Sequence, residues 1–181
     1  VFIVMNSRKN RRSKGASMAE LPAVLYLLFI GLVIPMVAMA VFSYRVSLAF
    51  FAARNAASQA ARSPTFTAAQ TAATTAWNTD TAAWNGITPV TENLYIVTHQ
   101  IADAGAGGTT DGSESVSSTK LAQGTVNVAQ NVYFYRTVCV ATIAPWFSGK
   151  WFGLKIPILT APYSLTMNYE EVVENTAGLT S

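Results

Sequence analysis

The distribution of apolar and polar positions divides the chain into an anchor and a mixed domain. From Leu21 to Phe42 there are 22 consecutive uncharged, mostly apolar residues. As a helix this run extends about 33 Å, enough to cross a bilayer core of about 30 Å. Beyond Arg45 the pattern becomes amphipathic. Ala49, Ala53, Ala56 and Ala60 form a small-residue stripe at helical spacing, which lets another helix approach closely. Two readings of the stripe stand open: bundling of helices from different subunits, or packing on this chain's own domain. One helix is expected from Ala16 to Arg62, interrupted at Pro22 and Pro35, each of which removes a backbone donor and can kink the helix. Ser63-Pro64 ends it. A second helix is expected from Thr67 to Asn85, opened by a capping-box pattern at Thr67 and Gln70 and stopped by Gly86 and Pro89. Its Phe66, Ala69, Ala73, Trp77 and Trp84 read as a core face.

After Gly86 the periodicity changes from helical to alternating. A strand is expected at Leu94–Ile101. Residues 103–119, rich in Gly, Ser, Thr and Asp, read as a surface loop. A long strand is expected over Val126–Ile143, bent or split near Gln130, with Tyr133, Tyr135 and Thr137 alternating against Val132, Phe134 and Val138. The stretch from Pro145 to Pro162 reads as a hairpin or an exposed aromatic loop. For its Trp146 and Trp151, core, membrane interface and subunit contact all stay open. A last strand places Leu165, Met167 and Tyr169 on one face, and a tail follows from Glu170. The fold class is α+β: a long N-terminal membrane helix, then a small domain with a helix packed on an antiparallel sheet. The division is residues 1–15, a basic leader; 16–62, the membrane and stem helix; and 63–181, the α+β domain.

Charge refines this picture. The formal charge of +3 includes Arg8, Lys9, Arg11, Arg12 and Lys14, all ahead of the apolar run. Without residues 1–15 the chain carries seven basic and nine acidic residues, a formal charge of −2. The basic cluster is therefore a topology signal rather than a nucleic-acid footprint. It holds the N-terminus on the cytoplasmic side and puts the C-terminal domain across the membrane. The apolar run is too long for the core of an ordinary secretory signal. The sequence begins with Val rather than Met, and Met5 is a candidate start. With Cys139 as the single cysteine, an intrachain disulfide and a cysteine-based metal cluster are excluded.

Glu20 stands at the edge of the span, the only charge between Lys14 and Arg45. An acid inside a membrane is costly, and one at such a place calls for a partner. The order of features (a basic leader, Gly15, an acid five residues later at Glu20, then an apolar helix) resembles the processing site of type IV pilin-like proteins. The segment Ala16-Ser17-Met18-Ala19-Glu20-Leu21-Pro22, followed by Arg54-Asn55-Ala56-Ala57-Ser58-Gln59-Ala60-Ala61-Arg62, is similar to the TadE-like pseudopilins of tight-adherence (Tad/Flp) pili. The resemblance covers residues 11–63 and extends to the C-terminal sheet by pattern only. It implies cleavage between Gly15 and Ala16 by a prepilin peptidase. It also implies that Glu20 pairs with the free amino group of Ala16 on a neighbouring subunit, and that the partners are other pilins and the pilus assembly platform in a bacterial inner membrane. The C-terminal domain would then be periplasmic, or displayed on a surface pilus. No cofactor, metal or nucleic-acid partner is implied. The Phe, Thr and Leu that major pilins favour after the Gly are absent here, which argues against a secretion-system pseudopilin.

Candidate chemistry elsewhere is sparse. His99 is the single histidine, too few for a triad or a two-histidine metal site. Ala104–Gly108 is Gly-rich but lacks the Gly-Lys-Ser/Thr ending of a phosphate loop. Asp103, Asp111 and Glu114 do not have EF-hand spacing. Glu170, Glu171 and Glu174 read as a solvated patch, and Cys139 as a buried, inert thiol. A pilus subunit is thus expected, not an enzyme. The alternative is an uncleaved, single-pass membrane-anchored binding or sensor domain, for which Glu20 would matter little.

Overall fold

The computed structural model describes residues 20–101, 114–146, 158 and 160–181. The first element, α1, runs from Glu20 to Ala61 without a break. Pro35 does not end it. Instead the helix widens into a π-helical turn at Phe29–Val33, closed by the Ile34 N–H donating to Phe29 O. A proline ring collides with the carbonyl four residues back and offers no N–H. A wider turn just before Pro35 moves that carbonyl aside, so the interruption expected there is absorbed within a continuous helix.

At Ser63-Pro64 the chain reverses into α2, Phe66–Ala82. Its cap is Thr65, whose Oγ1 accepts from Ala68 N–H at 3.1 Å. The capping box expected at Thr67 and Gln70 therefore does not form, because the cap lies two residues earlier. Phe66, Ala69, Ala73, Trp77 and Thr81 are buried at intervals of three and four. The expected core face is present; Trp84, past the helix end, is partly buried against the same core and meets Phe51 edge-on at 6.1 Å. Trp77 is 1% exposed, and truncating such a side chain to Ala typically costs about 3–5 kcal/mol.

Four antiparallel strands follow: β1 (Ile87–Gln100), β2 (Glu114–Ser117), β3 (Asn131–Ile143) and β4 (Tyr163–Val172), in the order β2-β1-β3-β4. β1 starts seven residues before the expected Leu94. Pro89 is accommodated because a bulge between Pro89 and Thr91 shifts the register against β3, and a bulge is one of the few places where a sheet accepts proline. β2 was expected to be loop. It is a short edge strand against residues 96–99 of β1. β3 begins at Asn131 rather than Val126, after a turn closed by Asn131 N–H donating to Asn127 O at 3.0 Å. The alternation in β3 is as expected: Tyr133, Tyr135, Thr137, Cys139, Ala141 and Ile143 are buried on one face.

The inner face of the sheet carries both α2 and the second half of α1. Ala49, Ala53, Ala56 and Ala60, each 0–1% exposed, belong to the same core as Trp77, Leu94, Ile96, Tyr135 and Met167. The small-residue stripe therefore packs on this chain's own domain. Its lack of bulk brings α1 close enough to β3 for the Thr137 hydroxyl to lie 3.4 Å from Ala53 O. The turn at residue 62 reverses the chain but does not bound the packing.

The residues after Glu170 are not a free tail. β4 continues to Val172, the Glu174 N–H donates to Ala61 O at 3.1 Å, and a 3₁₀ turn, Thr176–Thr180, buries Leu179 completely. Gly178 sits so close to Pro64 that a Cβ there would overlap the Pro64 carbonyl. Asn175 Nδ2 donates to the same carbonyl at 3.0 Å. The C-terminus thus locks the turn between α1 and α2, satisfying carbonyls that a helix end leaves open. Glu170 is tied to Arg136, which also reaches Glu114 across the outer face of the sheet. The expected solvated patch is therefore divided: Glu174 pairs with Arg62 in the open, with about two thirds of each side chain exposed, and Glu170 is part of a cross-strand network.

Candidate assembly site and the stem junction

Glu20 is exposed and is the first described residue of α1. Gly15 and Ala16, the expected processing positions, lie outside the described residues. So do residues 102–113, with Ala104–Gly108, Asp103 and Asp111, and residues 147–157, with Trp151. From Glu20 to Val37 no residue of α1 is buried; Leu21, Tyr26, Leu27 and Met36 are each more than 60% exposed. A soluble protein does not leave a bare apolar surface of this length without something to cover it. The helix is long and apolar enough to cross a membrane.

The bare and covered halves of α1 meet at a built junction. Arg45, the first charge after the apolar run, turns its guanidinium onto the end of the sheet. Its Nη1 donates to Ala144 O at 2.6 Å and to Pro145 O at 3.0 Å. The group lies against Gly86, whose φ is +86°. A Cβ at Gly86 would fall on the guanidinium itself, so glycine is required twice over, for the left-handed backbone and for the close approach. The Gly86 carbonyl in turn accepts from Ala144 N–H at 2.8 Å. Nearby, Phe42 meets Tyr163 edge-on at 6.0 Å. These contacts fix the angle at which the bare helix leaves the domain. The sequence marks Arg45 only as the end of the uncharged run and Gly86 only as a helix stop; their meeting depends on a sheet end 99 residues away from Arg45.

A second polar cluster lies inside. Glu92 on β1, Cys139 on β3 and Met167 on β4 are register partners along one row of the inner face. Glu92 Oε2 accepts from the Thr74 hydroxyl of α2 at 2.7 Å. Glu92 Oε1 and Trp77 Nε1 are both buried without a protein partner, and both residues line a small cavity of about 190 Å³ with Thr74, Asn78, Pro89, Val90 and Thr91. Burial pushes the Glu92 carboxyl above its ordinary value, partly offset by the Thr74 hydrogen bond. Burial, and then the Glu92 charge, push the Cys139 thiol up to about 12. A thiol held protonated and sealed from solvent is a poor nucleophile. His99 is half-buried and packs edge-on against Phe134 at 5.2 Å. Among the described residues no group of three His, Cys, Asp or Glu side chains could hold a metal.

No protein-family model, curated protein or solved structure matches this chain.

Proposed function

We propose that this chain is a TadE-like pseudopilin, a minor pilin that is anchored in the bacterial inner membrane and takes part in assembling an adhesive Tad/Flp-type pilus. The observation that carries the reading is α1 itself. It is one continuous helix over the described residues, bare and apolar in its first half with an exposed acid at Glu20, and built into a domain core in its second half. A subunit that is drawn out of a bilayer into a filament needs such a division: a surface that can exchange lipid for neighbouring helices, joined rigidly to a folded head. In this reading the basic leader stays cytoplasmic and a prepilin peptidase cuts between Gly15 and Ala16. Glu20 then accepts the new amino group of a neighbouring subunit, which neutralises an acid that lipid would penalise by about 2.5–3.5 kcal/mol at mid-membrane and less near the surface. The α+β domain lies in the periplasm and contacts other pilins and the assembly platform.

The first test is the N-terminal residue of the protein purified from membranes, read by mass spectrometry. A chain beginning at Ala16 is the expected result, and Gly15→Leu should leave the leader attached. Glu20→Ala should impair piliation while membrane insertion survives. A mature protein that keeps its basic leader, with normal piliation in Glu20→Ala, would replace this reading by that of an uncleaved membrane-anchored domain.

A further inference from the structure

The folded domain meets α1 at the end of the apolar run, at Phe42 and Arg45. Ala38 is completely buried, whereas Ala23 and Ala40 of the same run are exposed. Counting from Leu21 at about 1.5 Å per residue, Ala38 lies roughly 26 Å and Phe42 roughly 32 Å along the axis, against a hydrocarbon core of about 30 Å. The end of the sheet that meets α1 is thus level with the far edge of the core. That level is fixed by contacts at residues 42–45: Phe42 against Tyr163, and Arg45 against the carbonyls of Ala144 and Pro145. At the same level Tyr44, Trp146 and Tyr163 are 66%, 48% and 41% exposed. Tyr and Trp concentrate where a bilayer's chains give way to headgroups, because each has an apolar body and a polar tip.

We propose that the rim formed by Tyr44, Trp146 and Tyr163 is a lipid-contacting surface, seated among the phospholipid headgroups of the leaflet on the domain's side of the membrane. The domain rests on the bilayer instead of being held above it on a stalk, and Arg45 brings one positive charge to the depth of the lipid phosphates. The occupant is lipid because these exposed aromatics stand where the apolar run of α1 ends, Tyr163 against Phe42 and Trp146 next to the Pro145 carbonyl that Arg45 holds. This inference rests on the reading of α1 as a membrane span.

The test uses the full chain reconstituted in phosphatidylcholine–phosphatidylglycerol vesicles, with lipids brominated either near the headgroup or near the chain ends as quenchers of tryptophan emission. Carbonate washing reports separately whether the chain is integral. The expected result is quenching by the shallow bromine, reduced in Trp146→Phe by roughly the emission of one tryptophan out of four. Adding Tyr163→Trp to Trp146→Phe should restore it, which keeps the test informative if either substitution alone perturbs the rim. Two outcomes overturn the inference and leave the span intact: carbonate-resistant protein whose Trp146 emission is untouched by either lipid, or quenching by the deep bromine alone. Protein released by carbonate would overturn the span and the rim together.

Discussion

Replacing Gly86 by Ala perturbs the junction at its tightest point, and the structure sets the size of the effect. The residue has φ +86°, where a Cβ costs about 1–2 kcal/mol of backbone strain. The new methyl would also occupy the site of the Arg45 guanidinium and displace it from the Ala144 and Pro145 carbonyls. Hydrogen bonds from a charged donor are worth about 1.5–3 kcal/mol each when fully formed; Arg45 is partly exposed, so water recovers part of the loss, and about 2–3 kcal/mol for both bonds together is a reasonable expectation. Gly86→Ala should then cost about 3–5 kcal/mol, from strain and lost bonds together, and Arg45→Ala about 2–3 kcal/mol, from the lost bonds alone. The two losses overlap, because the bonds to the sheet end can be lost only once. The double variant should fall short of the sum by about 2–3 kcal/mol, a coupling of the size expected for residues in direct contact. Denaturant unfolding of the full chain in detergent micelles, followed by near-ultraviolet circular dichroism, reads all four corners of the cycle. Costs that simply add would mean that the guanidinium does not rest on Gly86, and the argument for a fixed stem angle would lose its basis.

Two further predictions concern the interior. Glu92 has a folded-state pKa above its unfolded value, so the folded protein holds that proton more tightly. Its penalty is absent below the unfolded pKa near 4.5, develops as pH rises through the interval up to the folded pKa, and is fully present above it. Glu92→Gln should accordingly raise the melting temperature at neutral pH and change it little near pH 4, as measured by calorimetry; a gain that is larger in acid would show that the carboxylate is stabilising. Cys139, fully buried with its thiol pushed up to about 12, should resist maleimide labelling in the native protein and react fully in denaturant; fast native labelling would contradict its placement in the core.

The elements that a local pattern specifies were legible in the sequence. The uncharged run from Leu21 to Phe42 gives α1, the spacing of Phe66, Ala69, Ala73 and Trp77 gives the buried face of α2, and strict alternation gives β3 and β4. Features set by distant contacts were not. Pro89 reads as a stop, and only the bulge against β3 lets it stand in a strand. Glu114–Ser117 looks like loop because an edge strand of four residues gets its conformation from the neighbour it pairs with. The residues after Glu170 look like a polar tail because the contact of Gly178 with Pro64 joins positions more than a hundred residues apart. The small-residue stripe was visible, but small residues allow close approach without naming what approaches. Glu20 stands out as a lone acid beside an apolar run, whereas the role of Arg45 is written in the carbonyls of Ala144 and Pro145, which have no side-chain signature.

The division of labour along α1 constrains any assembly built from it. Ala49, Ala53, Ala56 and Ala60 are occupied by the chain's own sheet and second helix, so a neighbouring stem cannot use them unless the domain unfolds. The opposite face is what remains beyond the bare half: Tyr44, Ser47, Phe51 and Arg54 are exposed at alternating intervals of three and four, with Phe51 steadied by Trp84 and Arg54 lying 5.8 Å over the Tyr169 ring. In the proposed pilus, a register set at Glu20 would have to be transmitted to these residues through the bare half of the helix. The π-helical turn at Phe29–Val33 lies on that path, and its wider winding offsets the face presented below it from the face presented above. Glu20 and Arg45 are roughly 38 Å apart along the axis at 1.5 Å per residue. Since Arg45 is fastened to the sheet end, pairing at one end of that lever would fix the height and orientation of the folded domain at the other. A filament contact made by one carboxylate could then specify the arrangement of heads that never touch it.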